Sequence, residues 1–447
     1  MAVDEQLSRA FELLQSGQNQ AAESAFEAVL ALAPEHPAAL QFLGILAHMR
    51  GDLARAVELL ERACALAPDY LDAHNNLGNI QLELGNHARA EACFRRVLEL
   101  EPSFAATHFN LGMLLLRANR LEEAAASFEK AALLEPGEAS THARLGDASA
   151  KRGDFIRARA AYRRALELDP SLDDERKKLG RVYFQIIDAF DRAVGDPKVA
   201  IGYLDEWLEL EPESAIAQHS RAAYAGESAP ARASDAYVRA TYDQFAESFD
   251  HVLGHLGYQG HALCAKALEK AIFAEAPKRP GSYPILDAGC GTGALGPLIT
   301  SWTSNIVGVD LSSKMLARAE ARAVYSELIE GELSAFLQTC DARFDGIVCA
   351  DALIYFGDLM ALFELASRAL RPRGCFVFTV ETALTVETKK REGFSLLRNG
   401  RYAHSNLHVT AALQQAGLAV FEREPLANLR REFGSDVPGL LISAQKN

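Results

Sequence analysis

Residues 284–293 read PILDAGCGTG, with Gly289, Gly291 and Gly293 at alternate positions behind strand-forming residues and an acid, Asp287. Glycine is costly in backbone entropy, so such a cluster marks a sharp turn or a close approach of backbone to another molecule. About twenty residues on, VGVDLS ends a second apolar run in Asp310, and a carboxylate has two acceptor oxygens for the two hydroxyls of a ribose. Toward the C-terminus, NGRYAHS offers His404, which could take a proton near neutral pH, with Tyr402 two residues before it. Cys290 would feel a helix N-terminus, but a small residue fitted into a tight loop is the plainer reading.

The elements that must position these groups alternate. The runs YPILDAG, NIVGVDL, SELIEGE, FDGIVCAD and GCFVFTVE are separated by helical stretches, and AVFEREP and GLLISAQ follow as two late strands. Strand–helix alternation at this spacing builds a parallel sheet with helices on both faces, an α/β Rossmann-like domain. Its ligands bind outside the carboxyl ends of the strands where strand order reverses, and there ILDAG turns into CGTGALGPLI. Ahead of the sheet, TYDQFAESFD carries Tyr242, Phe245 and Phe249 on a helical period, either closing over a ligand or covering the sheet.

The first half is built differently. Prolines stand at 34, 68, 102, 136 and 170, each 34 residues from the last, and Gly17, Gly51, Gly85, Asn119 and Gly153 lie 17 residues before them. Leu-Gly recurs at 43–44, 77–78, 111–112, 145–146 and 179–180, and Ala22, Ala56, Ala90, Ala124 and Ala158 precede Phe26, Leu60, Phe94, Phe128 and Tyr162 by four. This is a helix–turn–helix unit: glycine lets the partner helix approach, Gly or Asn makes the turn, and proline ends the unit. The pattern resembles the tetratricopeptide repeat over residues 3–212 and implies an all-α solenoid of about six repeats. The sixth unit is eight residues too long, which predicts a lengthened first helix in RVYFQIIDAFDRAVGD, and ESAIAQHSRAAYAG then closes the array. The expected layout is a repeat domain over 1–225, a linker at 226–234 and an α/β domain over 235–447.

Bulk properties limit the partners. The chain of 447 residues has a net charge of −14, and residues 1–212 hold 23 Lys/Arg against 34 Asp/Glu. That balance repels phosphate backbones, so nucleic acid is not expected. No apolar run reaches the length of a membrane span, and MAVDEQLSRAFELL is unlike a secretory signal. Seven scattered cysteines with no Cys-x-x-Cys pair point to a reducing, cytoplasmic setting and to no structural metal.

A dinucleotide fold would want Gly-x-Gly-x-x-Gly, whereas this turn is Gly-x-Gly-x-Gly. The run LDAGCGTG…VGVDLSSKML…LIEGEL…FDGIVCADALIYF…RPRGCFVF resembles class I S-adenosylmethionine-dependent methyltransferases over residues 235–447, and with the repeats in front it is similar to bacterial repeat-containing methyltransferases related to ubiquinone-biosynthesis enzymes. The resemblance implies S-adenosyl-L-methionine as cofactor. By position, Gly289, Gly291 and Gly293 would line its methionine portion, and Asp287 would sit beside the sulfonium and amino end. Asp310 would take the ribose with Leu311 on the adenine. Glu332 and Leu333 would meet the adenine edge, while Asp351 and Ala352 would lie beneath the methyl and Tyr242 would belong to the closing segment. Arg373 stands where the family has a second glycine, and CADALIYF replaces the Asn-Pro-Pro-Tyr signature of amide and adenine methylation.

His404 and Tyr402 are then the candidate general bases for an oxygen, nitrogen or carbon acceptor. In the repeats, Asn75, Asn76, Asn79 and Asn110 fall on or near the groove-lining face, where amides can meet a peptide backbone, or else on a solvated face. His74, His108 and His142, spaced by 34, occupy a packing position. The expected protein is a methyltransferase whose repeats recruit a protein, peptide or carrier-linked acceptor. A scaffold that binds cofactor without catalysis, or a small-molecule enzyme whose repeats form a homodimer, are the alternatives.

Overall fold

The computed structural model describes residues 2–192, 195–226, 230–274, 281, 283–382, 393–432 and 435–447. Two compact units divide after Asp188. In the first, the 34-residue period becomes helix pairs: α1 (Ala2–Gln15) with α2 (Asn19–Leu32), α3 (Pro37–Met49) with α4 (Leu53–Leu66), α5 (Leu71–Glu83) with α6 (His87–Leu100), α7 (Ala105–Arg117) with α8 (Leu121–Leu134), and α9 (Ala139–Arg152) with α10 (Phe155–Leu168). The Leu-Gly pair does what its spacing predicts. A Cβ on Gly78 would stand 2.5 Å from the ring of Phe94, and both Phe94 and its counterpart Phe128 are fully buried. Asn119 takes the left-handed turn, φ 57°, that glycine takes elsewhere.

The histidine ladder is a turn clamp. Nε2 of His74, His108 and His142 lies 3.2, 2.9 and 3.2 Å from the carbonyl oxygens of Pro68, Pro102 and Pro136. Arg176 and Gln218 donate to Pro170 and Pro212 in the same register, at 2.5 and 2.6 Å. From Pro68 onward, the sixth residue after each of these prolines thus ties back to the proline carbonyl, a group that the turn leaves without a helical partner; after Pro34 that position is Leu40, and Arg62 reaches the carbonyl at 3.4 Å instead.

Helix α11 (Asp173–Arg192) is lengthened to 20 residues, against 13 or 14 in the first helices before it. The division between units falls inside α11, so α12 (Pro197–Leu210) and α13 (Ala215–Ala225) belong to the second unit rather than to the repeat array before it. The expected linker is also no free tether. The Ala233 N–H donates to Tyr355 O at 2.8 Å, the Gly357 and Asp358 N–H groups donate to Ala231 O at 2.8 and 2.9 Å, and Arg232 bridges to Phe356. From α13, His219 Nε2 donates to Gly400 O at 2.8 Å. Residues 227–229 of that linker lie outside the described residues.

The second unit continues with α14 (Asp235–Phe245), α15 (Phe249–His255) and α16 (Gly260–Ile272) and then the sheet. Its strands are β1 (Ile285–Ala288), β2 (Ile306–Asp310), β3 (Glu327–Glu330), β4 (Phe344–Cys349), β5 (Leu370–Glu381), β6 (Phe394–Leu396), β7 (Tyr402–His404), β8 (Leu418–Glu432) and β9 (Ser435–Lys446). Interleaved are α17 (Gly296–Ile299), α18 (Ser313–Ala321), α19 (Leu333–Gln338), α20 (Met360–Ala369) and α21 (Asn406–Gln415). The order is β3-β2-β1-β4-β5, all parallel, with β9 antiparallel to β5 and β8 antiparallel to β9. Leu286, Val307, Ile347 and Phe376 face one core with α20 and α21, while Ile285, Ile306, Val348 and Val377 face another with α16. Strands buried on both faces explain why they read as continuous apolar runs. Strand order reverses between β1 and β4, and the glycine turn opens there.

Candidate active site

A cleft opens at the carboxyl ends of β1, β2 and β4. Its floor is the turn after β1. Gly289 and Gly291 have φ of 76° and 53°, a region that side chains rarely adopt. A Cβ on Gly291 would meet nothing closer than the Phe249 ring at 3.9 Å, so the missing side chain leaves room that belongs to the cleft. Asp310, at the end of β2, is fixed by two backbone donors: Gly291 N at 2.9 Å to Oδ2 and Ser312 N at 2.9 Å to Oδ1. Burial pushes its carboxyl up and these hydrogen bonds pull it back.

Beside Asp310 stand Leu311, Glu332 and Leu333. Glu332 Oε2 caps α19 by accepting the Ala335 N–H at 2.8 Å. Its Oε1 is buried and makes no hydrogen bond, with the Arg232 guanidinium 3.7 Å away. An orphaned acceptor in a cleft wall suits a ligand amino group. Asp351, just past β4, holds φ 60° and lines the opposite wall with Ala352. Over the top come Tyr242 from α14 and Phe249 from α15, while Phe245 is exposed and points elsewhere. The covering segment is latched: Asp250 accepts from Thr292 in the glycine turn and, at 2.6 Å, from Arg322, and Asp243 accepts from Ser312 at 2.5 Å.

Eight of the ten expected cofactor residues therefore converge on one cleft: Tyr242, Gly289, Gly291, Asp310, Leu311, Glu332, Leu333 and Asp351. Two do not. Asp287 lies on the same sheet face as Asp310 but two residues deeper along the strands, where Tyr325 covers it and it does not line the cleft. It accepts the Tyr325 hydroxyl at 2.6 Å, and burial raises its pKa to about 7. Gly293 packs under Tyr325 and Ala319, where a Cβ would come within 2.8 Å, and it does not line the cleft. Burial pushes the Cys290 thiol well up, opposite to the lowering that a helix N-terminus would give.

The expected bases are also corrected. His404 and Tyr402 lie on β7, not in a loop, and both are sealed from solvent. His404 Nε2 donates to Phe356 O at 2.7 Å, burial lowers its pKa to about 4, and the ring stands behind the cleft wall. Tyr402 donates its hydroxyl to Pro230 O at 2.8 Å. Three groups that the sequence reading missed line the cleft instead: Tyr258, His261 and Tyr355. A glycine-bounded LGYQGH running into the start of α16 was the available signal for the first two.

In the repeats, Asn75 Oδ1 accepts from the Thr107 hydroxyl at 2.9 Å and from Asn110 Nδ2 at 3.2 Å, so these two amides join adjacent repeats. Asn76 is half-buried and Asn79 is exposed.

The fold and cleft define a class, and comparison with known proteins agrees. Residues 285–374 match the methyltransferase domain family, and residues 7–70, 75–143 and 139–172 match tetratricopeptide repeats. The chain joins tetratricopeptide repeats to a methyltransferase domain. Among its curated relatives are a malonyl-[acyl-carrier protein] O-methyltransferase of Pseudescherichia vulneris, 29% identical over 32% of this chain and 52% of its own length, and a ubiquinone biosynthesis O-methyltransferase of Hydrogenovibrio crunogenus, 26% identical over 31% and 63%. The biotin biosynthesis bifunctional protein BioCD of Bordetella avium is 30% identical over 47% of this chain and 40% of its own length. This chain thus spans less than two thirds of each of these relatives.

Proposed function

We propose that the second unit is a class I methyltransferase domain that takes S-adenosylmethionine, and that the repeats recruit a protein, peptide or carrier-linked acceptor. The observation that carries the reading is the cleft at the strand-order reversal, with the Asp310 carboxylate seated on the glycine turn and the orphaned Glu332 Oε1 beside it. These residues fit the group: Asp310 offers acceptors for two ribose hydroxyls, Glu332 an acceptor for an adenine amino group, and Gly291 an unfilled space for the methionine portion. Bound there, the cofactor supplies a methyl group already activated on a sulfonium. The chain's own task is to align the acceptor and exclude water, a contribution on the order of 7–11 kcal/mol. Tyr242 and Phe249 cover the cleft for that purpose. Two relatives are named O-methyltransferases, one acting on an acyl-carrier protein, which favours an oxygen on a carrier-linked acceptor.

The test has two stages. Calorimetry with the full chain measures S-adenosylmethionine binding, and absence of binding ends the reading. Labelled cofactor with host lysate then shows whether label enters macromolecules with the full chain and falls with residues 189–447 alone. One observation favours a second reading, cofactor binding without turnover: both expected bases are sealed behind the wall. Binding with no transfer to any lysate component would select it.

A further inference from the structure

Arg430 lies on β8, more than a hundred residues from the glycine turn, and is 1% exposed. Its Nη1 donates to Asp351 Oδ1 at 2.9 Å and its Nη2 to Glu381 Oε2 at 2.5 Å. A guanidinium survives such burial only when carboxylates compensate it. Glu381, on β5, is buried and could serve that purpose without touching the cleft. Asp351 is different. It stands on the cleft wall in a left-handed conformation, its N–H tied to Thr379 Oγ1 at 2.9 Å, so β4, β5 and β8 all act on the placement of one carboxylate. Aspartate tolerates that backbone region better than most residues but still at a cost, and such strain gathers where placement matters.

The wall opposite Asp351 carries Asp310 and Glu332, and aromatic faces from Tyr242, Phe249 and Tyr355 complete the enclosure. Carboxylates and ring faces together are the surroundings that attract a cation. We infer that Arg430, anchored by Glu381, is a positioning residue that aims the Asp351 carboxylate into the cleft, where it attracts a positively charged sulfonium donor and gives no such attraction to the neutral thioether product. The inference rests on the reading that the cleft takes S-adenosylmethionine. With the donor bound, transfer of the methyl to an acceptor's lone pair would leave the carbon–sulfur bonding pair on an uncharged sulfur, so a carboxylate at this wall would hold the thioether product less strongly than the sulfonium donor.

The test is calorimetry on the full chain with two probes, S-adenosylmethionine and S-adenosylhomocysteine, for wild type, Asp351→Asn, Arg430→Lys and the double variant. Asp351→Asn keeps the side-chain shape and should weaken the sulfonium probe about tenfold while moving the thioether probe less than about threefold. Arg430→Lys should shift the ratio the same way, since a lysine cannot hold two carboxylates in one plane. In the double variant Arg430→Lys should add nothing to the ratio, because it acts through Asp351. Equal losses for both probes, or an additive double variant, would overturn the inference. If Arg430→Lys fails to fold, Asp351→Asn alone decides: an unchanged ratio overturns it. Binding of neither probe by wild type would instead overturn the cofactor reading, and this inference with it.

Discussion

Tyr402 donates its hydroxyl to the carbonyl oxygen of Pro230, 2.8 Å away, and both partners lie inside the second compact unit. A fragment starting at residue 235 would lose this bond together with the Ala231 and Ala233 backbone pairs and the His219–Gly400 contact. Each is worth about 0.5–1.5 kcal/mol. The expected outcome is that residues 189–447 melt cooperatively and bind S-adenosylmethionine like the full chain, while 235–447 melts well below it. Equal melting temperatures for the two fragments would refute this.

Asp310 both faces the cleft and seats the glycine turn through Gly291 N. Asp310→Ala should therefore lower S-adenosylmethionine affinity by roughly 10- to 100-fold, the loss of a charged hydrogen-bonding partner worth about 1.5–3 kcal/mol. Calorimetry on a folded variant with unchanged affinity would remove the ribose assignment.

Asp287 carries a pH signature. Its folded pKa is raised to about 7 by burial, above its unfolded value. Between about pH 4 and 7 the folded chain then binds the extra proton, so stability falls as pH rises through that window and is flat above it. Asp287→Asn can still accept the Tyr325 hydroxyl. The variant should gain stability relative to wild type as pH rises, by up to roughly 4 kcal/mol. Denaturant melts at pH 5 and pH 8 measure the difference, and parallel curves would contradict the assignment.

His404→Ala should leave the Phe356 carbonyl without its donor inside the fold, costing about 1–3 kcal/mol of stability. Cofactor affinity should change less than threefold. A large fall in affinity with no change in melting would return His404 to the cleft.

His108→Gln should be nearly neutral, because Gln218 already makes the same bond to its own proline. His108→Leu should cost about 1 kcal/mol. Chemical denaturation of the full chain or of a repeat fragment distinguishes the two.

Much of this was legible because its signals are local or periodic. The 34-residue period gave the helix pairs, and the strand–glycine–strand–acid order gave β1, β2 and the floor of the cleft. What escaped notice depends on side-chain direction or on short elements. Asp287 adjoins the glycine turn in sequence and shares the sheet face of Asp310, yet Tyr325 covers its carboxylate and keeps it out of the cleft lining. His404 sits on a three-residue strand, too short for alternation to show. ESAPARAS reads as a linker by composition, but its bonds to Tyr355, Gly357 and Asp358 run through backbone, which composition does not report. Arg430 left one trace: in NLRRE on a strand, one of two adjacent arginines must point inward.

The proline clamp has a consequence for how such a chain can change length. Its two ends lie six residues apart, the proline closing one unit and its partner standing on the first helix of the next, and three different side chains close it: histidine, arginine and glutamine. Tandem duplication or deletion of a 34-residue block would carry the whole fastening with it and leave none half-made. The repeat number can therefore drift by whole units under recombination, whereas an insertion of any other length must be absorbed by stretching a helix, as α11 has been.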